Sequence, residues 1–142
     1  MKFHNAVTAL ILGMVMAMAA DAEIDVIVNT SYVVGNANYG DIAKVFLAKA
    51  SALPGGGILV PVDQNDGSPA RATFYSKVTG KNASQLNAYW SKLIFTGQGQ
   101  PPKAVGTDAD VAALVAKNPN MIGYVHNASK VSGIKVIAKI AE

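Results

Sequence analysis

The sequence predicts an α/β domain, a sheet flanked by helices, and three observations carry that prediction. Short runs of β-branched and apolar residues recur at 23–29, 58–62, 121–125 and 134–138. Between them lie stretches whose apolar residues return every three or four positions, the spacing of a helix with one buried face. Most of those stretches open on a residue that caps helices: Asn38, Ser68, Asn82 and Thr107. Strands alternating with helices make a sheet covered by helices the economical arrangement.

Composition narrows the class. The 142 residues suit one domain, and 51% apolar with 15% charged residues is a globular balance. The net charge of +3 comes from lysines dispersed along the chain and a single arginine, Arg71. A nucleic-acid surface needs basic residues clustered on one face, so no nucleic acid is expected as partner. There is no cysteine, which excludes disulfides, a lipid-bearing cysteine and cysteine metal sites.

Residues 1–22 read as a secretory signal peptide. Met1-Lys-Phe-His-Asn is a short basic start, Ala6 to Ala20 is apolar or small throughout, and Ala20-Asp21-Ala22 has the small-residue spacing of a cleavage site. That run is shorter than the roughly 20 residues a spanning helix needs. The expectation is an exported domain at 23–142, periplasmic or extracellular, with no stable membrane anchor once the leader is removed. Met14, Met16 and Met18 belong to the leader rather than to a metal box.

Along the domain, Glu23–Asn29 reads as a buried strand and Asn38 with Asp41 as a cap pair. The helix that follows turns Ile42, Val45 and Phe46 inward, with Lys49 a turn further on. Leu53-Pro-Gly-Gly-Gly57 reverses the chain. A strand at 58–62 enters the polar loop Asp63-Gln-Asn-Asp-Gly67, and Ser68-Pro69 starts a helix, since proline at the first helical position loses no needed N–H. That helix carries Phe74, Tyr75 and Val78 inward and stops at Gly80. Leu86, Tyr89, Trp90, Leu93 and Ile94 then give the strongest helical period in the chain. The segment 95–102 is too rich in Gly, Gln and Pro for regular structure, and Gly97-Gln-Gly99 lacks the lysine–serine pair of a phosphate loop. Thr107-Asp-Ala-Asp110 caps a helix burying Val111, Leu114 and Val115, which Asn118-Pro119 ends.

Several stretches together resemble the phosphate-type periplasmic solute-binding proteins of ABC transporters. They are Val45-Phe-Leu-Ala-Lys49, Ile58-Leu-Val-Pro-Val62, Asp66-Gly-Ser68 with Arg71 and Phe74, Ala88-Tyr-Trp90, Phe95-Thr-Gly97, Val111 to Asn118, and Met121-Ile-Gly-Tyr-Val125. The resemblance covers most of 41–126 and implies a single periplasmic-binding-protein-like lobe. It also implies phosphate or another small oxyanion as ligand, held by Ser68, Arg71, Gly67, Asp66 and Gln64. Three departures stand out. Pro69 and Ala70 replace the Gly-Thr that follows Asp-Gly-Ser in the family, removing one N–H and one hydroxyl. Gln64 stands where the family often has arginine. The length is that of one lobe, so a homodimer mate or protein partner would complete the cleft.

Each candidate has a plainer reading. Ser68 can simply cap its helix while Arg71 is a solvated cation, and Asp63 and Asp66 can be turn formers. His126, the sole histidine after the leader, has neither a cysteine nor a second histidine for a metal set. Tyr89 and Trp90 fit a core better than a stacking platform. No nucleophile–base pair is visible, so no enzyme, catalytic residue, cofactor or metal is expected. The alternative to a solute-binding role is a structural or interaction module that keeps the fold without a ligand.

Overall fold

A computed structural model describes residues 23–35, 37–128 and 131–142; the signal-peptide reading of 1–22 lies outside them. Strand β1 (Glu23–Asn29) is the β-branched run read from the sequence, and it lies inside a five-stranded sheet. Helix α1 spans Tyr39–Phe46, where the Asn38 side chain accepts from the Asp41 N–H at 2.8 Å, and Lys49 lies beyond its end. Strand β2 (Val60–Asp63) leads through the polar loop to α2 (Pro69–Phe74), which widens into a π-helical turn at Tyr75–Thr79. Gly80, with φ of 71°, stops it in the left-handed conformation that glycine adopts without penalty. Helix α3 (Ala83–Phe95) begins with a reciprocal Asn82–Gln85 capping box. Strand β3 (Lys103–Ala104), α4 (Asp108–Lys117), β4 (Met121–His126) and β5 (Ile134–Ala141) complete the chain.

The strand order is β3-β2-β4-β1-β5. β2 runs parallel to β3 and β4, and β1 is antiparallel to β4 and β5. Alternate residues of β1 serve the two faces. Ile24, Val26 and Val28 join Phe46, Phe74, Leu86 and Trp90 under α1, α2 and α3, whereas Ile27 joins Val62, Val111, Val115 and Val125 under α4. Each large apolar side chain buried this way contributes about 1.5–3 kcal/mol. Gly123 lets α4 approach β4, since a Cβ there would stand 2.5 Å from a Val111 methyl. Leu93 is half-buried, and Ile94 is exposed rather than inward: α3 buries Leu86 and Trp90 and its last turn overhangs the core.

Candidate functional site

The carboxyl ends of the parallel strands β2 and β4 meet at one end of the sheet, the end where open α/β sheets bind ligands. Asp63 closes β2 there and is 3% exposed. Burial of an ionised carboxylate is costly unless it is paired and hydrogen-bonded, and here it is both. The Tyr75 hydroxyl donates to Oδ2 at 2.7 Å, the Tyr124 hydroxyl donates to Oδ1, and the Gln64 N–H donates to Oδ1 at 2.8 Å. Arg71 Nε lies 3.4 Å from Oδ2. Burial, and then the adjacent Asp63 charge, push both tyrosine pKa values well above the ordinary phenol range.

Arg71 in α2 and Tyr75 at the start of the π-helical turn, four residues apart, both reach this carboxylate. The consecutive residues Phe74 and Tyr75 are both buried, with Phe74 stacked flat on Tyr124 at 4.1 Å between ring centroids. The Arg71 guanidinium lies 5.1 Å from the centre of the Tyr75 ring. Burial acts to lower the arginine pKa, but Asp63, Tyr75 and Asp66 outweigh it and the net shift is upward. Arg71 Nη1 lies 3.3 Å from Asp66 Oδ1, and the Asp66 side chain is 95% exposed.

A second chain of polar contacts starts at Gln64, which is 2% exposed. Its Nε2 donates to Asp108 Oδ1 at 2.7 Å and to the Tyr124 carbonyl at 2.8 Å. Its Oε1 accepts from the Ser68 hydroxyl. Asp108 in turn faces His126 Nδ1 at 3.2 Å, and His126 Nε2 faces Glu142 at 2.8 Å.

Ser68, Arg71, Gln64 and Asp63 thus converge outside their plain roles, while Asp66 keeps the plain role of a turn former. Ser68 sits at the N-cap position of α2 but its hydroxyl makes no cap bond, being turned to Gln64. Arg71 is ion-paired on two sides rather than solvated. Asp63 is a buried acceptor, not a turn former; Asp66 and Gly67, the latter at φ 83°, form the exposed turn. Trp90 is core, while Tyr89 is half-buried, with Lys81 and Lys49 near its ring at 5.1 and 5.9 Å. Tyr75, Tyr124 and Asp108 were not singled out for the site, and their contacts depend on tertiary placement that sequence spacing does not report. Among the described residues no cluster of three His, Asp or Glu side chains could hold a metal, and no helix is long and apolar enough to cross a membrane.

Beside this network lies a cavity of about 490 Å³ between the start of α2 and the start of α3. Gly67, Ser68, Arg71, Tyr75, Lys81 and Asn82 are among its walls, and among the described residues Arg71 and Lys81 are the charged ones that line it.

This architecture is that of a single lobe of the periplasmic-binding-protein-like fold. Among solved structures the chain is similar to a protein from Clostridium perfringens described as a phosphate ABC transporter substrate-binding protein, with bound phosphate (TM-score 0.64, 21% identity, covering 82% of this chain and 44% of that one). It is also similar to an ABC-type phosphate transport receptor from Vibrio cholerae (0.63, 16%, 82% and 45%) and to PstS from Borrelia burgdorferi (0.63, 14%, 82% and 47%). The fold is therefore that of the phosphate-type solute-binding proteins, and the chain spans less than half the length of these three. No protein-family model matches it, and no curated protein matches it in sequence.

Proposed function

We propose that the chain is an exported, solute-binding-protein-like domain, 23–142 after removal of residues 1–22, that takes a small oxyanion such as phosphate at the 64–71 loop. The observation that carries this reading is the cavity whose charged lining, among the described residues, is Arg71 and Lys81, with Gly67 and Ser68 beside them. A guanidinium matches two oxygens of a tetrahedral anion, and a lysine adds a point charge. Asp63 anchors the arginine from the buried side. Asp66 is exposed, so its pairing with Arg71 is worth at most about 1 kcal/mol and an anion can displace it. The neighbouring carboxylates keep the affinity low, and a second wall from a dimer mate or another protein would raise it.

A second reading has its own observation. The Ser68 hydroxyl already serves Gln64, and Pro69 has no N–H, so the loop offers fewer donors than an anion cradle uses. On that reading the domain is a periplasmic interaction or structural module and not an enzyme.

Calorimetric titration with phosphate and sulfate separates the two. Oxyanion capture requires saturable heat that disappears in Arg71→Gln and strengthens about fivefold in Asp66→Asn, which removes a competing charge. Absence of heat from both the parent protein and Asp66→Asn, with the fold intact by circular dichroism, would leave the module reading.

A further inference from the structure

A larger cavity, about 670 Å³, lies away from this loop, along the β2 side of the sheet beneath the end of α1. Val45, Ala48, Val60, Pro102, Leu114 and Met121 give it an apolar wall. Among the described residues its charged lining is Lys49 and Lys103, both exposed. Among the described residues neither makes an ion pair; the pairs formed are Arg71 with Asp63 and Asp66, His126 with Asp108 and Glu142, and Lys139 with Glu23. We propose that this groove docks a segment of another protein that presents apolar side chains flanked by carboxylates.

Three features select that occupant. The apolar surface does not end with the cavity: Ile58, two residues before Val60 on the same side of the extended chain, is 70% exposed and Val60 is 43% exposed. A surface that continues past the hollow suits a macromolecule better than a small solute. The lysines, with no acidic residue in the lining, give the groove one sign of charge and so a preference for acidic flanks. The β2 backbone beside the groove is a poor template for an added strand. Asp63 O accepts from Val105 N, and Asn65 N donates to Gly106 O, so alternate residues of this strand face β3. The preceding residue in that series is Pro61, which has no N–H to offer an added strand. Recognition in the groove itself therefore rests on side chains entering it.

The test uses the purified protein, labelled with nitrogen-15, and two synthetic peptides with the same Leu-Phe-Leu centre, one flanked by glutamates and one by lysines. The expected result is that the glutamate-flanked peptide shifts the amide resonances of Val45, Lys49, Val60 and Met121. The lysine-flanked peptide should bind at least fivefold more weakly, and the Lys49→Glu/Lys103→Glu variant should reverse that order. Both substitutions are on exposed side chains, and an unchanged thermal midpoint would show that the fold survives. Equal shifts from both peptides, no shifts at all, or groove shifts that follow protein concentration because two copies associate would each overturn the proposal. Phosphate titration of the same variant should match the parent, so failure here is separable from failure at the 64–71 loop.

Discussion

The Ser68 hydroxyl donates to the side-chain oxygen of Gln64, four residues earlier, instead of capping the helix it precedes. The loop is thereby tied across its own neck. Gln64 relays that tie to α4 through Asp108 and to β4 through the Tyr124 carbonyl. Ser68→Ala should cost about 1 kcal/mol in urea denaturation, and Gln64→Leu about 1–3 kcal/mol because it takes a donor from the buried Tyr124 carbonyl. Combining them should cost less than the sum, with a coupling of at least 0.5 kcal/mol. Strict additivity would mean that the pair does not act as a unit.

Asp63 is the heaviest single dependency. Asp63→Ala leaves two tyrosine hydroxyls and a half-buried guanidinium without their acceptor, and we predict a loss of about 3–5 kcal/mol. Asp63→Asn keeps an acceptor oxygen and should lose less. A loss below about 1 kcal/mol for the alanine variant would contradict this network.

His126 makes stability depend on pH. Burial acts to lower its pKa, yet the hydrogen bonds to Glu142 and Asp108 and their charges outweigh it, so the folded-state value is raised. The folded protein thus holds this proton more tightly than the unfolded chain does. The stabilisation is complete below the unfolded value of about 6.5 and fades as pH rises through the higher folded value. Unfolding free energy measured from pH 6 to 8.5 should fall, and His126→Gln should flatten that slope.

Gly123→Ala tests the close approach of α4 to β4. The added methyl would meet Val111 at 2.5 Å and Val62 at 3.3 Å, both inside the smaller core. Overpacking there should cost about 1–3 kcal/mol, and Val111→Ala in the same chain should restore part of it. No rescue would place the strain elsewhere.

Much of the fold was legible because it is written locally. The β-branched run of β1, the Asn38 and Asn82 caps and the stop at Gly80 all appear where short-range chemistry requires them. What escaped is set by distant partners. β3 is two residues long after Pro101-Pro102, and only its pairing with β2 makes it a strand. Ile94 fits the helical period yet has nothing opposite it. Asp63 looks like a loop residue until Tyr75 and Tyr124, 12 and 61 positions away, bring their hydroxyls to it.

The position of β1 has a consequence for synthesis. Among the described residues the first strand lies between the last two, bonded to 121–126 on one side and 134–141 on the other. A ribosome delivers Glu23–Asn29 long before either neighbour exists, so the nascent chain cannot finish this sheet until 121–141 has emerged. Such a chain stays pliable while it is being made and locks only when these late strands arrive.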